Sequence, residues 1–141
     1  MSENVRTLKQ TVFIPAPPRE VYEAFLDPAQ HAAFTGKPAT GEPVVGGKFT
    51  AHGDFISGEI LELVEGEKIV ESWSTTGWPA GSPPSRLEIT FRPKDGGTEL
   101  TMVHSGVPAQ HADSYDSGWV SQYWEPLQRY FEARATSSSK G

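Results

Sequence analysis

The spacing of apolar positions divides the chain near Gly46. Before that point one strand and two short helices are predicted; after it the period falls to two, with turn residues at regular intervals. The first strand covers about Leu8 to Ile14 and stops at Pro15, because Pro17 and Pro18 have no N–H to give a ladder. Pro18 suits the first turn of a helix, where a missing donor costs nothing. That helix, about 18–26, places Val21, Tyr22, Phe25 and Leu26 on one side, with Arg19, Glu20 and Glu23 elsewhere. Asp27-Pro28 caps a second short helix through about Phe34, the Asp oxygen accepting an early N–H. Strands then run from Gly46 to about His52, Phe55 to Val64, Lys68 to Thr75, Ser85 to Pro93 and Thr98 to Ser105. Glu65-Gly66-Glu67 and Asp95-Gly96-Gly97 supply turns between them, and a Trp/Pro/Gly-rich loop spans Thr76 to Pro84.

Sequential strands joined by tight turns form an antiparallel meander, and one face of it must be covered. The cover comes from the C-terminal segment, where Trp119, Val120, Tyr123, Trp124, Leu127, Tyr130 and Phe131 make one broad helical face. Pro126 interrupts it. A proline there removes the bond to the Gln122 carbonyl and clashes with it, so a kink near Gln122 is predicted. The fold class is α+β: a curved antiparallel sheet wrapped around a long C-terminal helix, with two short helices after the first strand. Such an arrangement often leaves a cavity between sheet and helix. One domain is expected over 8–133, between a flexible polar tail at 1–7 and a disordered one at 134–141.

Composition narrows the function. The 141 residues suffice for one ordinary domain. No apolar run exceeds three residues, so neither a membrane span nor a secretory segment is expected, and the cytoplasm is the expected location. The absence of cysteine excludes a disulfide scaffold, a thiolate metal site and thiol catalysis. A net charge of −6 without a local Lys/Arg cluster argues against nucleic acid as a partner. Four Trp, four Tyr and seven Phe, set among 14 Gly and 12 Pro, fit many short elements around an aromatic core rather than disorder.

The order of elements, with the motifs inside it, resembles the SRPBCC superfamily, the START and Bet v 1-like helix-grip fold. Within it the match is to the family of activator of heat shock protein 90 ATPase homologue 1-like proteins, at that co-chaperone's C-terminal domain. The resemblance rests on IPAPPREVYEAFLDP (14–28), AAFTGKPA (32–39), GGKF (46–49), ISGEILELV (56–64), IVESW (69–73), GWPAG (77–81), GGTELTMVHSGVP (96–108) and GWVSQYWEPLQRYF (118–131). It implies either a carrier of a small hydrophobic molecule, a co-chaperone-like accessory with a chaperone partner, or, from relatives of the same fold, an enzyme of the polyketide cyclase/aromatase type.

Strand alternation selects the residues that could carry chemistry. Leu100 and Met102 share a face with His104, and Ile69 and Trp73 flank Glu71. With both faces inward, Glu71 and His104 look into a cavity as perturbed groups, an acid/base or ligand-orienting couple. The plainer alternative, which the sequence favours, has His104 bonding backbone at a strand end and Glu71 exposed on an edge strand. Cavity candidates are Glu71, Trp73, Leu87, Ile89, Phe91, Met102, His104, Trp119, Tyr123 and Leu127; a cyclase would use Glu71, His104 and Tyr123. Trp78, in GWPAG, is the candidate for contact with another protein. His52 and Asp54 form an H-x-D and, with His31 and His111, read as surface residues. No zinc spacing, nucleophile elbow or phosphate loop occurs, so no metal and no cofactor is expected. Glu59, Glu62, Glu65, Glu67 and Glu71 gather around one hairpin, as on a solvated tip.

Overall fold

The computed structural model describes residues 5–51, 53, 55–76 and 84–140, without the side chains of 134–140. Its elements in chain order are β1 (Val5–Ile14), α1 (Pro18–Leu26), α2 (Pro28–Thr35), β2 (Thr40–Gly41), β3 (Lys48–Ala51), β4 (Ile56–Val64), β5 (Lys68–Thr75), β6 (Ser85–Lys94), β7 (Gly97–Pro108), α3 (Ala109–Trp119), a π-helical turn (Val120–Trp124) and α4 (Glu125–Lys140). The seven strands form one antiparallel sheet in the order β1-β7-β6-β5-β4-β3-β2. The long C-terminal helical run packs across its concave side, and α1 and α2 close one end.

The predicted helix signals act as expected. Pro18 stands in the first turn of α1, and Asp27 caps α2 by accepting from the Ala29 N–H at 3.3 Å. α2 ends at Gly36, whose left-handed φ of 76° lets its N–H reach the Ala32 carbonyl. Between them, α1 and α2 bury Val21, Tyr22, Ala24, Phe25, His31 and Phe34.

Pro126 breaks the C-terminal helix where its chemistry requires. The preceding turn widens to a π-helix, and the Glu125 N–H bonds the Val120 carbonyl. The helical run begins at Ala109, and its backbone continues to Lys140. At the other terminus the strand starts at Val5 rather than Leu8, paired with Pro108.

Two irregularities curve the sheet. In β7, the step from His104 to Val107 opposes the two-residue step from Leu8 to Arg6 in β1, with Gly106 at φ 77°, so the strand continues through a bulge past the end expected at Ser105. In β4, Leu61 is the extra residue between the Ile60↔Glu71 and Glu62↔Val70 pairs. The short edge strand β2 carried no sequence signal. β5 lies between β4 and β6, so Glu71 is on an interior strand and not at an edge.

The core fills the space between sheet and helices. Ile69, Leu87, Ile89, Phe91, Leu100 and Met102 from the sheet meet Trp119, Trp124, Leu127 and Phe131 from the helical run, all at most 3% exposed. Trp119 and Trp124 stack at 5.3 Å, one aromatic layer of the core. No described helix is long and apolar enough to cross a membrane.

Candidate functional site

Two arrangements bring titratable side chains together inside the fold. The first surrounds His104, fully buried on β7. The Trp119 indole N–H donates to His104 Nδ1 at 3.2 Å, and His104 Nε2 lies 2.7 Å from Ser85 Oγ. Because indole is only a donor, Nδ1 must accept; the proton of the neutral ring therefore sits on Nε2 and is donated to Ser85. The Ser85 hydroxyl passes the chain on to the Trp73 carbonyl at 2.6 Å. Burial pushes the imidazole down to about 3, so it stays neutral throughout the physiological range. Trp73 packs against it edge to face, 4.7 Å between ring centres. His104 thus bonds side chains, not the backbone partner expected of a strand end.

The second centres on Glu71, in a space that Trp73 also borders. Glu71 is 5% exposed, and burial pushes its carboxyl up to about 8. Among the described residues its side chain makes no hydrogen bond or ion pair; it borders a narrow space of about 30 Å³ shared with Phe25, His31, Phe49, Trp73 and Tyr123. His31 on α2 is buried, with Nδ1 2.9 Å from the Phe25 carbonyl and Nε2 3.1 Å from the Tyr123 hydroxyl. A carbonyl only accepts, so Nδ1 carries the proton of the neutral ring and Nε2 takes the Tyr123 proton. Burial and, secondarily, the nearby Glu71 charge raise the Tyr123 phenol above its ordinary value.

A larger, open groove of about 370 Å³ lies at the end of the sheet–helix interface. Phe55 and Ile56 of the β4 end, Trp73 of β5, and Tyr115, Trp119 and Tyr123 of the helical run form its apolar walls, with Lys37 and Gln122 at the rim. The Tyr115 hydroxyl is fixed 3.3 Å from Thr75 Oγ1. Gly118 lines the groove, and a Cβ there would meet no atom within 4 Å.

Comparison with known proteins places the fold and the chain. The model of the family described as "Activator of Hsp90 ATPase homolog 1-like protein" matches residues 15–132. The chain belongs to this family. The human "Activator of 90 kDa heat shock protein ATPase homolog 1" is 37% identical over 125 residues, which cover 89% of this chain and 36% of that protein. The chain therefore spans about a third of that relative. An HSP90 activator from Plasmodium falciparum has the same fold, with a TM-score of 0.81 at 24% identity, covering 89% of this chain and 96% of the other. So does Ara h 8.0201, with a TM-score of 0.73 at 11% identity, covering 92% and 99%. Both the helix-grip expectation and the family resemblance are met.

In this family member the ten cavity candidates share one fate in burial and differ in what they border. All are at most 5% exposed. Glu71 and Tyr123 border the narrow space, Trp119 and Tyr123 the groove, and Trp73 both. Leu87, Ile89, Phe91, Met102, His104 and Leu127 border neither and pack or bond within the core. Glu71 also leaves the acidic hairpin cluster: Glu62 and Glu65 pair with Lys68 and Arg19 at the surface, whereas Glu71 points inward. His31, expected at the surface, is buried because it lies three residues before Phe34 on the inward side of α2, a spacing that pointed to this placement. His111 is half-buried and stacks on Tyr115. Phe49, Phe55, Tyr115 and Lys37 had no sequence signal as site residues, since each depends on a contact between distant elements. Trp78, His52 and Asp54 lie outside the described residues.

Proposed function

We propose that this family member is a non-enzymatic binder of a small hydrophobic molecule, seated in the groove at the open end of the sheet–helix interface. The groove carries this reading: its volume of about 370 Å³ is that of pockets holding small organic ligands, its walls are aromatic, and one cation stands at the rim. Lys37 favours a ligand with an acidic end. The space under the helix is about 30 Å³, far too small for such a molecule, so the occupant belongs in the groove and not in a sealed interior. A cyclase would need Glu71, His104 and Tyr123 at one ligand position; His104 has both ring nitrogens engaged and borders neither space, which supports binding without catalysis. The test uses 1-anilinonaphthalene-8-sulfonate, an apolar dye with an anionic group. The folded protein is expected to enhance its fluorescence saturably, and Gly118→Leu to weaken binding at least tenfold with an unchanged circular dichroism spectrum. Equal affinity in the two proteins removes the groove as the site.

A second reading, a co-chaperone-like accessory, is favoured by the 37% identity to the human activator. The partner is then a 90 kDa heat shock protein, and Trp78 a proposed contact with it. Titrating the isotope-labelled chain with the same cell's chaperone is expected to shift a contiguous set of amide signals; an unchanged spectrum at the highest soluble concentration ends this reading.

A further inference from the structure

The narrow space beside Glu71 differs from the groove in its chemistry. Four aromatic side chains, Phe25, Phe49, Trp73 and Tyr123, stand around one deeply buried acid. Burying a carboxyl costs free energy unless hydrogen bonds compensate, and a purely structural acid would be met by N–H or O–H donors. None meets Glu71 among the described residues, so its oxygens open onto the narrow space, and the Tyr123 hydroxyl that also borders it is held by His31 at 3.1 Å. Aromatic faces attract cations, and a carboxylate among them completes the recognition of an ammonium group. The lining also includes Pro28 at the start of α2 and Thr40-Gly41 of the edge strand, and exposed Glu42 beside them adds negative charge. A volume of about 30 Å³ exceeds the roughly 10–15 Å³ one water requires. No cluster of three metal-ligating side chains occurs among the described residues, so the site lacks the donors of a metal cage.

We infer that the space beside Glu71 is a binding site for a small primary ammonium group, held by the Glu71 carboxylate and the surrounding aromatic rings. It is separate from the groove, with which it shares only the Trp73 and Tyr123 wall. Binding exchanges one proton: the protonated amine enters as R–NH3+, the Glu71 carboxylic acid loses its O–H proton to solvent, and the carboxylate–ammonium pair remains. The other titratable groups lining the space are His31, Tyr123 and Glu42, and Glu71→Gln separates their contribution from that of Glu71.

Calorimetric titration with methylammonium chloride, against potassium chloride at equal ionic strength, tests the site. The expected result is saturable binding with affinity rising about tenfold per pH unit between roughly pH 6.5 and 7.5, the signature of one displaced proton. Glu71→Gln, which keeps the side-chain shape, is expected to weaken binding at least tenfold. Butylammonium binding as tightly as methylammonium identifies the head of a longer amine; methylammonium alone identifies the free ion. An affinity independent of pH, an equal response to potassium, or undiminished binding in Glu71→Gln each overturns the assignment. The pH series needs no variant, so it decides even if the substitution disturbs folding.

Discussion

At the scale of single residues, two buried groups set opposite pH dependences. Glu71 holds its proton up to about 8, against an ordinary 4.5, so between those values the folded state carries a proton that the unfolded chain has lost. Its stabilising contribution is complete below 4.5 and is lost as pH rises through 8. His104 is the reverse: held neutral down to about 3 against an ordinary 6.5, it favours the folded state above 6.5 and loses that contribution as pH falls. The two slopes cancel between 4.5 and 6.5, leaving a plateau, and only Glu71 acts between 6.5 and 8. There each pH unit costs about 1.4 kcal/mol, so the fall is on the order of 2 kcal/mol. Glu71→Gln removes it: urea unfolding midpoints of the variant are expected to stay level from pH 6.5 to 8 while those of the natural chain decline. Parallel curves would show that Glu71 is ionised in the folded protein.

At the scale of elements, signals confined to a few neighbouring residues were legible and those made across the sheet were not. Asp27-Pro28 before an apolar face specifies α2 because cap and helix lie within one turn. Pro126 announces a break because its missing N–H and its clash with the Gln122 carbonyl are local facts; the π-helical turn is how the backbone absorbs them. Alternation likewise put Glu71 on the face of Ile69 and Trp73. It could not say whether β5 was an edge, since that depends on the order of seven strands. Gly58 shows the same limit. A Cβ there would lie 1.9 Å from the Ser72 carbonyl oxygen, so β4 and β5 approach at that point only because the residue is glycine. Nothing in the local sequence ISGEI indicates which strand presses on it. His104 was legible as inward but not as half of a bond to Trp119, fifteen residues away on another element.

At the scale of the whole molecule, filled and open regions occupy different ends of one interface. The helical run closes the core around Leu127, which is fully buried, while its stretch from Tyr115 to Tyr123 lines the groove. The aromatic rings of the helical run serve both: Trp124 and Phe131 pack inside, and Tyr115, Trp119 and Tyr123 turn a flank toward the groove. This separation makes stability and binding independent. Leu127→Ala removes a side chain from the packed core and is expected to cost about 2–5 kcal/mol, read from urea unfolding, because the surroundings only partly collapse into the void. Leu127 does not line the groove, so dye affinity of the folded variant is expected to stay within about twofold of the natural chain. If the ligand instead occupied the interior beneath the helix, the new void would enlarge its site, and the same substitution would change affinity as strongly as it changes stability.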